Sequence, residues 1–435
     1  MINRVKGTYD ILPDEIKKWQ RLEEVIRNIA KLFNFDEIRT PIFESTELFH
    51  RSVGESTDIV KKETYSFKDR GDRMNTLRPE GTAGVVRAVI ENKLYSNPSM
   101  PLKVYYNGPM FRYERPQKGR QRQFHQFGAE IIGAKSPLAD IEIINFAATF
   151  LKALGIGDNV VKINSLGDRE SKENYQSALL EYLKPNIEHF CSDCKRRYLE
   201  NPLRVLDCKV DKENPYLVNS PKPIDYLSDS ARIHFDQVIM GLDSIGLVYE
   251  IDKFLVRGLD YYTHTVFEIE SNLATLGAQS TLVGGGRYDN LIQSLDGPDL
   301  AAVGFAFGLE RLVLALDAKE EIQEPFIHCF FINLTDFINN NSLEIINNLR
   351  HGGLIVEYDF LNRNLKSQFK QADRLNPIFY LIYGDEEANK RVCRVKRRDN
   401  GEQLEVPLEN LYQYLVRSIT SNNCSSGDCS GCSGC

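Results

Sequence analysis

Leu102-Lys-Val-Tyr-Tyr-Asn-Gly-Pro-Met-Phe-Arg-Tyr-Glu-Arg-Pro-Gln-Lys-Gly-Arg-Gln-Arg-Gln-Phe-His-Gln-Phe-Gly-Ala-Glu-Ile-Ile132 holds two strand-like runs around a charged connection. Val104-Tyr105-Tyr106 leads to Met110-Phe111-Arg112-Tyr113, and Phe124 to Ile132 returns after the polar stretch Glu114 to Gln123. Apolar and aromatic runs bounded by polar residues read as strands, so the segment predicts an antiparallel pair with a long loop. A helix after Pro137, carrying Ile141, Ile144, Phe146, Phe150 and Leu151, closes the region.

The connection is basic. Phe111 to Arg122 holds five basic residues and one acidic residue, a local charge of +4 in a chain whose total is −7. Read alone, such a segment is a solvated loop. Arg112, however, is placed within the first strand, where an arginine is costly to bury unless it meets an anion. Its planar fork suits phosphate oxygens. A second arginine, Arg257, stands among strand-like residues in Val256-Arg-Gly-Leu-Asp-Tyr-Tyr262. A third, Arg311, opens an amphipathic helix after the glycine-spaced run Gly304-Phe-Ala-Phe-Gly308. Neither a Gly-x-x-x-x-Gly-Lys-Ser/Thr loop nor a well-placed Gly-x-Gly-x-x-Gly is present. A nucleotide would therefore have to be held by arginines on an antiparallel sheet.

Working outward, Trp19, Leu22, Val25, Ile26, Ile29, Leu32 and Phe33 form one apolar stripe of a helix that starts after Pro13. Phe35 to Phe43 reads as extended, with Pro41 suiting an edge or an interface. Residues 170–240 are polar, helical and interrupted by prolines, which predicts an inserted subdomain. Strand patterning resumes at Ile251 to Ile269 and at Thr281. Lys319 to Pro325 reads as a linker. Beyond it strands and helices alternate, as in a small α/β domain at 326–420. The tail 421–435 is Ser/Gly/Cys-rich and expected to be disordered.

At roughly 100–200 residues per domain, 435 residues allow about two to four domains. An acidic total argues against polyanion binding by bulk charge, so any such contact must be local. The polar start and the lack of an apolar run near ~18 residues argue against a secretory leader or a membrane span, and predict a cytosolic chain. Nine cysteines, an odd count, fit reduced thiols rather than a disulfide framework.

Arg112-Tyr-Glu-Arg with Phe124-His-Gln-Phe resembles motif 2 of class II aminoacyl-tRNA synthetases. Gly304 to Arg311 resembles motif 3, and Phe35 to Glu44 resembles motif 1, the dimer-interface element. Leu255-Val-Arg-Gly-Leu-Asp-Tyr-Tyr-Thr-His-Thr-Val-Phe-Glu268 and Thr76-Leu-Arg-Pro-Glu-Gly-Thr82 closely resemble the signatures of histidyl-tRNA synthetases, and the likeness runs from Lys6 to about residue 420. The resemblance implies an α+β fold. Residues 1–325 would form an antiparallel-sheet catalytic domain flanked by helices, and 326–420 an α/β anticodon-binding domain. It also implies a homodimeric ligase that joins histidine to tRNA(His), with ATP as substrate accompanied by Mg²⁺, and no membrane partner.

By the same resemblance, Arg112 and Arg257 would be the catalytic cations at the ATP α-phosphate and the substrate carboxylate. Arg120 and Arg311 would hold the terminal phosphates, and Phe124 and Arg311 would sandwich the adenine. Glu80, Gly81, Thr82 and Gln126 would meet the histidine backbone end. Glu130, Tyr261, Tyr262 and Tyr288 would line the side-chain pocket. An imidazole has two ring nitrogens, and a carboxylate plus phenols can satisfy both. A pocket built to pair polar groups rejects analogues that cannot pair by about 10⁴–10⁵. Read alone, Glu130 is a strand-end surface carboxylate and Gly284-Gly-Gly286 a flexible loop. In the family the glycines let the backbone approach the ligand. In the α/β domain, Arg363 to Asp373 and Lys390 to Arg398 would supply a basic surface for tRNA. Gln117 and its basic neighbours would meet the acceptor end.

Cys191-Ser-Asp-Cys194 with Cys208 offers three thiols, and His189 could complete a zinc set. With no second Cys-x-x-Cys, packed thiols are the preferred reading and no metal is expected. Cys424, Cys429, Cys432 and Cys435 resemble iron–sulfur spacing but lie in low-complexity sequence. A rival reading is the histidine-sensing regulatory subunit of ATP phosphoribosyltransferase. Such proteins usually lose the motif arginines and the anticodon domain, both of which this chain keeps.

Overall fold

The computed structural model describes residues 2–54, 57, 59–117, 119–157, 159–271, 273, 280–316, 327–335 and 341–423, with 421–423 described by backbone alone. The expected linker, most of the expected tail with its four cysteines, and Lys118 of the basic loop lie outside these residues. The chain divides into two compact units, Met1–Ile322 and Gln323–Cys435.

In the first unit, α1 (Pro13–Leu32) precedes β1 (Asp36–Glu37), β2 (Phe43–Ser45), α2 (Thr46–Val53), β3 (Tyr65–Lys68), β4 (Met74–Leu77) and α3 (Thr82–Glu91). Next come β5 (Leu102–Phe111), β6 (Gln123–Ile132), α4 (Pro137–Ala153) and β7 (Asn159–Ser165). The insert contributes α5 (Arg169–Leu183), α6 (Ser192–Glu200) and α7 (Pro215–Val218), followed by α8 (Asp229–Ser244). The unit ends with β8 (Tyr249–Ile251), β9 (Thr263–Ser271), β10 (Thr281–Arg287), α9 (Leu291–Ser294), β11 (Ala302–Gly308) and α10 (Leu309–Leu316).

Eight strands form one sheet in the order β1-β5-β6-β11-β10-β9-β7-β8, antiparallel except at its two edges, where β1 and β8 pair in parallel. Strand alternation sorts its two faces. On β6 and β11 the odd-numbered Phe127, Ala129, Ile131, Val303, Phe305 and Phe307 are buried in the main core with α1, α4, α8 and α10. Phe127, Phe150 and Phe307 stack there with ring centroids 4.8–5.9 Å apart. Burying each such ring contributes about 1.5–3 kcal/mol. The even-numbered Gln126, Glu130, Gly304 and Ala306 are thereby left on the other face. A one-residue slip would exchange the two sets, so this core fixes the register of the site.

Several expectations are revised. The ladder of β5 and β6 is as read, but β5 ends at Phe111, one residue before Arg112. The Arg112 N–H still donates to Arg122 O at 2.8 Å, so the pairing runs on past the strand. Arg257 to Tyr262 is irregular chain between β8 and β9 rather than strand. Leu255 and Val256 are apolar because they enter the insert's own core, not because they pair in the sheet. The three glycines form the centre of β10 rather than a loop. α8, expected in the insert, packs Phe235, Val238 and Leu242 into the main core. Leu32, read as part of the α1 stripe, is exposed.

The second unit begins with β12 (Cys329–Asn333), α11 (Ser342–His351), β13 (Val356–Tyr358), α12 (Leu365–Leu375) and β14 (Phe379–Tyr383). α13 (Asp385–Lys390), β15 (Val392–Arg397), β16 (Gln403–Pro407) and α14 (Leu411–Asn423) complete it. Its sheet runs β13-β12-β14-β15-β16 around a separate core. Much of the expected basic surface is internally paired: Arg394 with Glu387 at 2.6 Å, Arg397 with Asp399 at 2.6 Å, and Lys390 with Glu386 at 2.7 Å. Among the described residues no helix is long and apolar enough to cross a membrane.

Candidate active site

A cleft of about 1010 Å³, counting its open mouth, lies on the even-numbered face of the main sheet. Twelve sequence-predicted residues line it: Glu80, Thr82, Arg112, Arg120, Phe124, Gln126, Glu130, Arg257, Tyr261, Tyr262, Tyr288 and Arg311. Gly81 does not. Its N–H donates to Gln126 Oε1 at 3.1 Å, and a Cβ there would overlap the Tyr106 ring. Its place in the site is to set the position of Gln126.

Part of the lining is a set of buried acids and phenols. The N–H groups of Thr82 and Ala83, at the start of α3, donate to the two oxygens of Glu80 at 2.8 and 2.7 Å. Burial raises the Glu80 carboxyl, and those two N–H bonds oppose the shift. Glu130 on β6 is 1 % exposed, which overturns its reading as a surface carboxylate. The Thr82 hydroxyl donates to Glu130 Oε1 at 2.7 Å and the Tyr288 hydroxyl to Oε2 at 2.6 Å. Burial, with the nearby Glu80 adding to it, still lifts the Glu130 carboxyl to about 8. Tyr261 packs on Tyr262 and edge-on to Tyr288, at centroid distances of 4.7 and 5.5 Å. Burial holds all three phenols protonated, as donors.

The lining also carries four arginines. Arg112 Nε donates to Pro79 O at 2.8 Å, and its guanidinium lies over the Phe124 ring at 5.3 Å. Arg257 forms an ion pair with Glu268, whose other oxygen accepts from Thr281 Oγ1 at 3.0 Å. Burial lowers the Arg257 guanidinium, but Glu268 and the neighbouring tyrosines more than offset it. Arg311 donates to Thr281 O at 2.6 Å, and Arg120 pairs with Glu114 at 2.9 Å. Burial and then Arg120 push the Arg311 guanidinium down, with Arg112 adding to the effect. That mutual repulsion is what a bound polyanion would relieve.

Two glycines make room for these side chains. Gly304 pairs with Glu130 across the β6–β11 ladder, and a Cβ at 304 would overlap the Glu130 carboxylate. A Cβ at 284 would strike the Arg257 guanidinium. The space freed along β10 is thus occupied by Arg257, Phe267 and Tyr262, protein groups rather than a ligand.

Sequence reading missed Tyr106 and Glu310 in this region. Both Glu310 oxygens accept the His125 N–H, at 2.8 and 3.0 Å, and Oε1 lies 3.1 Å from His125 Nδ1, which fixes β6 beside Phe124. Its adjacency to Arg311 was the available signal. Tyr106 carried none beyond its even-numbered place on β5.

A family model described as histidyl-tRNA synthetase matches residues 7–167 and 209–312, and one described as anticodon binding domain matches residues 328–418. The histidine–tRNA ligase of Geobacillus sp. (strain WCH70) is 48% identical over 418 residues, which cover 95% of this chain and 99% of that protein. That of Bacillus subtilis (strain 168) is 48% identical over 415 residues, 95% and 98% of the two chains. The crystal structure of apo histidyl-tRNA synthetase from S. aureus superposes with a TM-score of 0.81 at 40% identity, covering 95% of this chain and 100% of that one.

Proposed function

Because this chain belongs to the histidyl-tRNA synthetase family, we propose that its cleft is where histidine is activated with ATP and then passed to tRNA(His). The chain is a class II histidine–tRNA ligase, with histidine, ATP and tRNA as its substrates. The observation that carries the siting is one cleft lined by Glu130, Tyr261, Tyr262 and Tyr288 together with Arg112, Arg120, Arg257 and Arg311.

In this reading, the imidazole meets Glu130 and the tyrosines, and Glu80, Thr82 and Gln126 receive the α-ammonium. Arg112 and Arg257 then hold the histidine carboxylate against the ATP α-phosphorus. The carboxylate oxygen attacks, the bond to the bridging oxygen breaks, and pyrophosphate leaves with that electron pair. Charge spreads over the phosphoryl oxygens, so fixed cations lower the barrier without any proton transfer from the protein. Holding two anions side by side is itself most of the task, and only preplaced cations do it. The 3′-terminal ribose hydroxyl of the tRNA next attacks the acyl carbon, the bond from that carbon to the phosphate oxygen breaks, and AMP departs with the electron pair while the hydroxyl proton passes to its phosphate or to water.

Mg²⁺ would accompany the triphosphate. The nearby carboxylates Glu114 and Glu310 are already engaged by Arg120 and His125, so phosphate oxygens and water would supply most of its ligands. Homodimerisation through the Phe35–Glu44 region is supported by the exposed apolar residues Ile42 and Phe43, with Phe67 and Met74 on the same small sheet. The second unit would take the anticodon end of the tRNA, and the chain would work in the cytoplasm. Charging of a tRNA(His) transcript with labelled histidine tests the whole reading. R112A and R257A, each folded by circular dichroism, should lose charging, and retained charging in both would refute the siting.

A further inference from the structure

The insert folds around its own apolar core, which includes Tyr175, Leu179, Phe190 and Leu217. Three thiols and one carboxylate converge at its edge. Cys191 caps α6, Cys194 lies in its first turn, Cys208 follows the short turn Pro202–Val205, and Asp211 comes three residues later. We propose that Cys191, Cys194, Cys208 and Asp211 bind one zinc ion that staples the insert.

The geometry fits the ion. Zinc bonds of about 2.3 Å to sulfur and about 2.0 Å to oxygen give a tetrahedron with S···S edges near ~3.8 Å and S···O edges near ~3.5 Å. Cys191 Sγ and Cys208 Sγ are 3.7 Å apart, and Cys208 Sγ and Asp211 Oδ2 are 3.5 Å apart. All four ligand atoms lie within 4.8 Å of one another. A disulfide would need its sulfurs at about 2.05 Å.

The electrostatics ask for a cation. Asp211 is 7 % exposed, and among the described residues no Lys, Arg or His pairs with it. Hydrogen bonds from the Cys191 N–H and the Cys208 thiol are what hold this carboxylate now, and once the thiols ionise a divalent ion would offset two of the four negative charges gathered there. Backbone N–H groups already point at two of the sulfurs: Cys194 N–H to Cys191 Sγ at 3.5 Å, and Asp211 N–H to Cys208 Sγ at 3.4 Å. Such bonds support thiolate ligands. Soft sulfur donors in a tetrahedron select zinc over Mg²⁺ or Ca²⁺. Each cysteine gives its thiol proton to water on ligation.

His189, the fourth ligand weighed from sequence, instead stacks on Tyr216 with centroids 4.8 Å apart, and Asp211 takes its place. Four protein ligands leave no open position, so the ion is structural. Its consequence reaches the cleft, because the same core holds Leu255, Val256 and Tyr262, which flank Arg257.

The test uses the full chain with the tail cysteines replaced (C424S/C429S/C432S/C435S), purified under reducing conditions in the presence of zinc and then exhaustively desalted. Elemental analysis should find about one zinc per chain, falling at least tenfold when C191S/C208S is added. Cobalt substitution of the tail-replaced chain is the second readout and does not depend on the insert variant folding. It should give intense tetrahedral bands with sulfur-to-metal charge transfer. A tail-replaced chain that holds no zinc would overturn the proposal. So would zinc retained in full after C191S/C208S, or a cobalt form with octahedral, thiolate-free bands.

Discussion

Tyr288 donates its hydroxyl hydrogen to Glu130 Oε2 at 2.6 Å, tying the residue that follows β10 to the C-terminal end of β6 across the intervening strand β11. Thr82 holds the other oxygen at 2.7 Å. Each oxygen keeps a further lone pair, so the carboxylate is aimed by two hydroxyls and still able to accept an imidazole N–H.

The Glu130 carboxyl sits at about 8, against an ordinary 4.5, chiefly through burial. Its proton is bound more tightly in the folded chain, so this group's contribution to stability falls as pH rises from about 4.5 to about 8. If the ionised form accepts the imidazole N–H, histidine KM should fall several-fold between pH 7 and pH 8.5, by up to tenfold per pH unit below 8. E130Q should show a weaker but flat profile over that range. The same slope in E130Q would assign the pH dependence elsewhere.

G304A places a methyl group against the Glu130 carboxylate. Displacing that group by about 1 Å should lower kcat/KM for histidine by roughly 10²-fold, while ATP affinity changes little. Steady-state exchange kinetics with each substrate varied separately check this, and an equal loss for ATP would contradict it.

Removing one preorganised cation costs about 10²–10³ in rate. R257A should therefore lower kcat for adenylate formation by that factor, with histidine affinity by calorimetry changed far less. R257K should recover only part, because an ammonium lacks the planar fork. A loss confined to affinity would remove Arg257 from the reacting centre.

Arg287 and Asp140 are both fully buried. Arg287 Nε reaches Asp140 Oδ1 and Oδ2 at 3.2 and 3.1 Å, and Nη1 reaches Ala134 O at 2.9 Å. Because R287A strands a buried carboxylate, it should destabilise the first unit by about 3–5 kcal/mol. Urea unfolding followed by the single tryptophan, Trp19, which lies in that unit's core, reads this directly. A change below about 1 kcal/mol would mean that His234 or water compensates Asp140.

The β5–β6 pair and the arginines beside it were legible because strand alternation and local charge are short-range signals. Arg257 to Tyr262 was misread as strand because burial of Leu255 and Val256 in a second core mimics the apolar signature of pairing. α13 and β16 were missed because short, charged elements take their order from the β14–β15 neighbours rather than from periodicity. Glu130 could be recognised only by resemblance, since nothing in its sequence neighbours says that a strand-end carboxylate will be buried under Tyr288. Asp211 was invisible in the same way, because its distance from three sulfurs depends on the turn after Val205.

Amino-acid-dependent ATP–pyrophosphate exchange, run with each of the twenty amino acids and no tRNA, tests the assignment of this cleft most directly. The account predicts exchange with histidine alone, lowered by about 10²–10³ in R257A and strongly reduced in E130Q. Exchange driven by another amino acid would contradict the Glu130–Tyr261–Tyr262 pocket. No exchange with any of them, while histidine still binds, would contradict the ligase itself.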